Sequence, residues 1–364
     1  DEDVEEEIVL ENAKEDTPED KNSRPKYVKD LTWGQIEQYY EEDPKKLGSV
    51  SLGSPGCGGQ MNSVEMPEGK NWFVTNPAKK WGTQETVDYI QTAINAVVEE
   101  YPDTWPLAVG NLSAPNGGKL RPHRSHQSGR DVDIGFYFKN GVSRRFDYGN
   151  KSNLDLPRNW ALVKALITKT DVQIILLDRS IQKLLYDYAL SIGEDKDWLD
   201  VIFKRENGNK PLIQHVRRHR NHYHVRFYNP RAQKLGIIVT KLAEKKANEP
   251  PKEIDAKDKN VKEKEKEPTG VMHKVKQGEC LGSIARKYGS TVTAIMKANR
   301  LKRNLINAGR VYFIPTNKGG IAGVVVEHDA KGGKKKIRAA CKVVENLYIP
   351  PRRLPPKKGV SFHP

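Results

Sequence analysis

Arg130-Asp131-Val132-Asp133-Ile134-Gly135-Phe136-Tyr137-Phe138 sets Val132, Ile134 and Phe136 in alternation with Asp131, Asp133 and Gly135. A period of two is the mark of a strand, whose successive side chains point to opposite faces. A strand over 130–138 is therefore expected, with one core face and one polar face carrying two carboxylates. A second alternation, Tyr223, Val225 and Phe227 against His222, His224 and Arg226, predicts a partner strand that turns both histidines to one side. Two such strands side by side would bring imidazoles and carboxylates onto one surface.

The flanking segments give the fold class. From Thr83 to Glu100 the residues Val87, Ile90, Ile94, Val97 and Val98 recur at helical spacing, and Pro102 follows as a stop. A short strand is expected at Leu107 to Gly110. Helices are expected at Asn159 to Lys169 and Ser180 to Ile192, on either side of the apolar strand Val172 to Leu177. The order is that of an α+β domain, with helices flanking a central sheet.

Composition divides the chain further. Residues 1–30 open on a carboxylate-crowded stretch with little to pack and read as a disordered acidic tail. The main domain is placed at 31–241, and its leading part, with Trp33, Tyr39 and Tyr40, is expected to wrap onto the remainder of that domain. Residues 242–270 are charged and contain Pro250-Pro251, the composition of a linker. A compact block occupies 271–316, and 317–364 is a basic, Pro-rich tail.

The 364 residues carry a net charge of +15, which suits an acidic partner such as nucleic acid, an anionic membrane surface or the bacterial wall. No nucleic-acid-binding motif accompanies the charge, so nucleic acid is not expected as a partner. No apolar run reaches the roughly eighteen residues of a membrane span. The chain opens on Asp1 with no basic-then-apolar leader ahead of it, as expected of a processed or trimmed form. Its three cysteines allow one bridge, and Cys57 with Cys341 is the expected pair because Cys280 sits in a different module.

The chemistry lies in two short constellations. The first, His123-Arg124-Ser125-His126-Gln127-Ser128-Gly129-Arg130-Asp131-Val132-Asp133, holds His-x-x-Gly-x-x-x-Asp spacing from His126 to Asp133. A loop histidine and a strand carboxylate can converge on one cation, with Gly129 permitting the turn between them. The second is His219-Arg220-Asn221-His222-Tyr223-His224. A catalytic zinc takes three nitrogen or oxygen ligands and keeps an open position for water. His126, Asp133 and His224 supply such a set, with Asp131 as an outer or alternative ligand.

These motifs resemble the penicillin-insensitive murein endopeptidases, through Pro122 to Gly135 and His219-x-x-His222-x-His224, with further similarity at Trp81 to Thr86 and Ser51 to Ser54. The likeness covers about Leu47 to Pro230. It implies one Zn2+ held by His126, Asp133 and His224, His222 as a catalytic side chain beside it, and His219 and His123 completing the rim. It further implies cleavage of D-alanyl to meso-diaminopimelyl cross-links of peptidoglycan, outside the cytoplasm: periplasmic or secreted. The family is similar to D-Ala-D-Ala peptidases and lysostaphin-type enzymes, a likeness that implies a central antiparallel sheet; wider relatives that trim D-Ala-D-Ala carry a glutamate two residues before the last ligand. Here that position is His222, so the general base lies between His222 and His219. Arg130, Arg218, Arg220 and Arg226 are candidates for holding the carboxylates of acidic stem peptides, and His123 and Asp131 are further candidate substrate contacts.

The block His273 to Gly289, continued by Val292 to Asn299 and Gly309 to Pro315, resembles a LysM module of βααβ order. That likeness implies binding of N-acetylglucosamine chains between Gly278, Glu279, Cys280 and Leu281 on one loop and Asn304, Leu305 and Ile306 on another. Three other readings remain beside the endopeptidase: a D,D- or L,D-carboxypeptidase of the same zinc class, a non-catalytic wall-binding protein, and a nucleic-acid binder resting on charge alone.

Overall fold

The computed structural model describes residues 31–139, 141, 146–205, 208, 210–217, 219–248, 270–288, 290, 292–301, 303, 305–315, 324–327, 336–339 and 352–355. They form two compact units, one spanning 1–248 with 322–364, the other 249–321.

The first unit opens with helix α1 (Trp33–Glu42), started by a Thr32/Gln35 capping box. A hairpin comes next, β1 (Val50–Ser54) and β2 (Cys57–Met61), joined through Pro55-Gly56. Strands β3 (Val64–Glu65) and β5 (Trp81–Gly82) pair antiparallel, with β4 (Trp72–Val74) between them in sequence. Helix α2 (Gln84–Glu100) is capped by Thr83, whose side chain accepts from the Thr86 amide. The chain continues through β6 (Leu107–Val109), β7 (Asp131–Ile134), α3 (Leu156–Lys169), β8 (Val172–Leu177), α4 (Arg179–Ser191), α5 (Lys196–Phe203), β9 (Ile213–His215), β10 (Tyr223–Phe227) and α6 (Pro230–Asn248).

Six strands make the main sheet, in the order β4-β6-β7-β10-β8-β9. Its four central strands are antiparallel neighbours, as expected. Both edges depart from the expectation, since β4 joins β6 and β9 joins β8 in parallel. Helices make those parallel returns possible: α2 separates β4 from β6, and α4 and α5 separate β8 from β9. One apolar cluster takes Val132 and Ile134 of β7, Val225 and Phe227 of β10, Ile90, Ile94 and Val97 of α2, and Trp160, Val163 and Leu166 of α3.

Two boundaries differ from the sequence reading. The strand expected over 130–138 is the four-residue β7, and all four residues are buried. Its polar face is not open to water, because the loop carrying His126 lies over it. Helix α6 runs to Asn248, into the stretch expected to be linker. Leu242-Ala243-Glu244-Lys245-Lys246-Ala247 is charged, yet each residue is a strong helix former. Lys245 and Lys246 also reach Glu37 and Glu41 on α1. Midway along α6, a Cβ on Gly236 would fall 1.9 Å from the Ser51 carbonyl oxygen, so only glycine lets this helix lie against β1.

The second unit is β11 (Gly270–Lys274), α7 (Leu281–Lys287), α8 (Val292–Ala298) and β12 (Val311–Pro315), the expected βααβ order. β11 and β12 pair antiparallel, and Val275, Leu281, Ile284, Ile295, Tyr312 and Ile314 fill its small core.

The region expected as a tail contains a strand pair, β13 (Val324–Glu327) with β14 (Lys336–Ala339). Arg352 donates to buried Asp171 at 3.3 Å, and Trp198 Nε1 donates to the Arg353 carbonyl at 2.7 Å. Cys57 is disulfide-bonded and Cys280 is an exposed thiol; the expected partner, Cys341, lies outside the described residues, as does the acidic opening stretch. No helix among the described residues is long and apolar enough to cross a membrane.

Candidate metal centre

Strand register builds the base of the site. In the β7–β10 ladder His224 stands opposite Asp133 and Arg226 opposite Asp131, while Tyr223 and Val225 stand opposite Ile134 and Val132. Opposed residues share a face. One face of the pair is thus apolar, and the other collects a histidine, an arginine and two carboxylates. A one-residue slip would drive that charged set into the core, so burial itself fixes the register.

On the charged face, Arg226 grips Asp131 with Nε to Oδ1 at 2.7 Å and Nη2 to Oδ2 at 2.9 Å. Asp131 Oδ2 lies 3.1 Å from His224 Nε2, which places a proton on that nitrogen, since a carboxylate only accepts. The other ring nitrogen, Nδ1, is 3.2 Å from Asp133 Oδ1. Burial opposes charge on Asp131, but hydrogen bonds from Arg226 and His224 hold its carboxyl well below the ordinary range. Burial likewise opposes charge on His224, and the two carboxylates overcome it, lifting the imidazole to about 9. That negative field favours a cation among these atoms, whether proton or metal.

The third group comes from the loop before β7. His126 Nδ1 donates to the Leu112 carbonyl at 2.8 Å, which leaves Nε2 bare and 3.3 Å from Asp133 Oδ1. His126 has φ +66°, and Gly129, which ends the loop, has φ +72°. A Cβ on Gly129 would lie 1.9 Å from Gln60 Oε1, so this turn needs glycine, as its place in the motif suggested. Ser113 Oγ donates to the His126 carbonyl at 2.6 Å and steadies the left-handed residue.

His126 Nε2 and Asp133 Oδ1 are both buried without a hydrogen-bond partner. Two such orphans facing each other are destabilising in the protein alone. They suit a cation. Ligand atoms about 2.0–2.2 Å from a tetrahedral zinc lie about 3.3–3.6 Å apart, close to the 3.3 and 3.2 Å that separate Asp133 Oδ1 from the two imidazole nitrogens. Two overlapping groups able to hold a metal ion converge here, His123 with His126 and Asp133, and His126 with Asp131 and His224.

Three more histidines ring this cluster. His222 Nδ1 is 2.7 Å from Asn221 Oδ1 and its Nε2 is 3.6 Å from Asp133 Oδ1. Burial, only partly offset by Asp133, lowers His222 to about 4, so it is neutral at physiological pH. Half-buried His219 lies 4.9 Å from it, ring to ring, with Nδ1 3.3 Å from the Arg217 carbonyl, and burial lowers its pKa as well. His123 Nε2 accepts from Asn111 Nδ2 at 3.1 Å; burial again lowers it.

The arginines and Asp131 lie in different surroundings. Arg130 is buried and donates to the Phe227 carbonyl and Gln233 Oε1, a structural role that removes it from the substrate rim. Asp131 is fully buried behind His224, so it supports a histidine rather than touching substrate. Arg226 is consumed by Asp131. Arg220 remains exposed, and Arg218 lies outside the described residues. Sequence reading missed Leu112, Asn111, Asn221 and Phe146, whose ring packs 5.2 Å from His222. A backbone carbonyl leaves no trace in residue type, and Phe146 reaches His222 only through the fold.

Residues 51–155 match the family model for penicillin-insensitive murein endopeptidase, and 273–315 match the LysM domain. The chain resembles the penicillin-insensitive murein endopeptidases. It is 26% identical over 213 residues to the protein of that name from Klebsiella pneumoniae subsp. pneumoniae, covering 54% of this chain and 71% of the relative. To its namesake from Salmonella paratyphi C it is 27% identical over 205 residues, covering 51% and 69%. The endopeptidase match contains His123, His126 and Asp133 and ends before His219, His222 and His224; the sheet brings the two groups together.

In the LysM unit the expected sugar-binding residues part company. Gly278 sits open at φ +85°, and Leu305 is 75% exposed. Leu281 is instead buried in the core, and Ile306 packs against it. Glu279 turns inward: its carboxylate takes His273 Nε2 and the Lys276 amide, each at 2.8 Å, so it shapes the loop rather than offering itself to a ligand. Asn304 lies outside the described residues.

Proposed function

We propose that this protein is a zinc-dependent murein endopeptidase that hydrolyses D-alanyl to meso-diaminopimelyl cross-links, acts outside the cytoplasm, and is held to glycan by its LysM unit. The observation that carries the reading is that Asp133 Oδ1 lies 3.3 Å from His126 Nε2 and 3.2 Å from His224 Nδ1, with His126 Nε2 and Asp133 Oδ1 buried orphans, beside a neutral His222. The name of the relatives supplies the substrate class, and the LysM match supplies the glycan.

Zinc held by these three side chains would supply Lewis acidity toward the scissile carbonyl and a water made acidic near neutral pH. Asp131, itself clamped by Arg226, fixes the His224 ring so that Nδ1 faces inward. The Leu112 carbonyl does the same for His126. With Nδ1–H donated to Asn221, His222 presents a bare Nε2 toward the cluster, suited to accept the proton of an attacking water and return it to the leaving amine. The balance is one water consumed, one C–N bond broken, one C–O bond formed and the proton delivered to nitrogen. His219, further out, is a second acceptor in the same path.

Digestion of purified sacculi by the wild type, by His126→Ala and by wild type with a chelator, followed by mass analysis of the muropeptides, tests this. Cross-linked dimers should fall only with the metal-loaded wild type. Loss of a terminal D-alanine from uncross-linked stems, with dimers intact, would instead establish a carboxypeptidase, and three identical profiles would leave a wall-binding protein without turnover.

A further inference from the structure

Beside the catalytic histidines lies a cavity of about 640 Å3 lined by Tyr148, Asp178, Arg217 and Arg220. Its lining adjoins His219, at the outer rim of the site. Arg217 and Arg220 bracket His219; the Asp178 amide donates to the His219 carbonyl at 2.9 Å, and the Gly149 amide holds the Arg220 carbonyl at 2.8 Å. The charge of Asp178 is felt at the His219 ring.

Two exposed guanidiniums against one carboxylate give the cavity a net positive charge. Asp178 takes both Ser180 hydrogen bonds on Oδ1 as the cap of α4, and burial raises its carboxyl less than those bonds and the charges of His215 and Arg220 lower it. It therefore stays ionised, within the electrostatic reach of Arg220. Tyr148, 64% exposed, offers a flat face for a peptide chain.

The geometry points to a carboxylate subsite in which Arg217 and Arg220 hold the free carboxylate of the amino acid that provides the leaving amine. Resting on the endopeptidase reading, this assignment names what that reading leaves open, the group by which one amide of a stem peptide is chosen. The carbon bearing the leaving nitrogen also bears this carboxylate, so its receptor must lie within a side chain's reach of the proton-handling histidines. Arg220 adjoins His219 and is separated from His222 by one residue, Asn221. Planar guanidiniums fit a carboxylate with two parallel hydrogen bonds, which an amide cannot reproduce.

The test uses the full chain and soluble cross-linked muropeptide dimers in three forms: unmodified, amidated at the diaminopimelate carboxylate beside the scissile bond, and amidated at the D-glutamate carboxylate. The wild type should show KM raised about tenfold or more by the first amidation and little changed by the second. Arg217→Gln with Arg220→Gln should erase that discrimination, whereas Lys183→Gln, a charge change of the same sign on the exposed side of α4, should preserve it. Equal KM for all forms in the wild type, or an equal loss on every form in the arginine variant, would overturn the subsite. If no dimer is cut, the endopeptidase reading fails by itself. Calorimetry with the uncross-linked stem tetrapeptide then decides the subsite: tighter binding of the free than of the amidated diaminopimelate, lost in the arginine variant, upholds it, and equal binding refutes it.

Discussion

At the scale of single residues, the site separates groups that would bind a cation from groups that orient them. His222 has its pKa lowered to about 4 chiefly by burial, and its outer nitrogen faces Asn221, so it handles a proton without being needed for metal. His222→Gln is expected to lower kcat by about 10²–10⁴ while zinc content stays at the wild-type level; loss of zinc together with rate would make His222 a ligand. Asp131 touches His224 but no open space. Asp131→Asn should weaken zinc affinity by about 10–100-fold in a competitive chelator titration, with near-native circular dichroism. The motif spacing made the candidate set His126, Asp133 and His224 legible. It did not reveal that Arg130 and Arg226 are structural, since an arginine beside a carboxylate reads the same whether it serves the protein or the substrate.

Secondary-structure elements explain why those residues meet. Hydrophobic periodicity announced α2, β8 and the core faces of β7 and β10, because each keeps one side against a single apolar cluster. It missed α5, whose eight residues give barely two turns of pattern, and β9, a three-residue edge. It also missed α6, whose charged last residues read as linker. Where α6 begins, Glu85 of α2 accepts the Arg231 and Ala232 amides, each at 2.9 Å. Burial nevertheless pushes its carboxyl from the ordinary 4.5 up to about 7. A raised carboxyl pKa in the fold means that stability falls as pH rises from the unfolded value to the folded one, and is level above it. Urea melts should therefore show Glu85→Gln gaining about 2–3 kcal/mol on the wild type between pH 5 and pH 7. A constant difference across that range would mean that Glu85 is ionised throughout.

For the molecule as a whole, the resemblance of His273 to Pro315 to a LysM module marked out the second unit, while composition described the residues after it only as a basic, Pro-rich tail. Arg352 and Arg353 return to the first unit, where Arg352 meets the buried Asp171 that Tyr89 also contacts at 2.7 Å. Pro-rich, basic sequence carries no periodicity from which such a return could be read. Arg352→Ala should destabilise the first unit by about 3 kcal/mol, visible in its urea midpoint, because it withdraws a cation from a buried carboxylate; an unchanged midpoint would make the contact incidental. What binds between β7, β10 and the His126 loop decides the chemistry of the whole protein. The most direct test is the zinc content of the purified full chain and of His126→Ala, Asp133→Ala and His224→Ala, after dialysis against a weak chelator. The account predicts about one zinc per wild-type chain and nearly none in each variant, all of them folded. Zinc retained in all three variants, or absent from a wild type that still cuts cross-linked dimers, would contradict it.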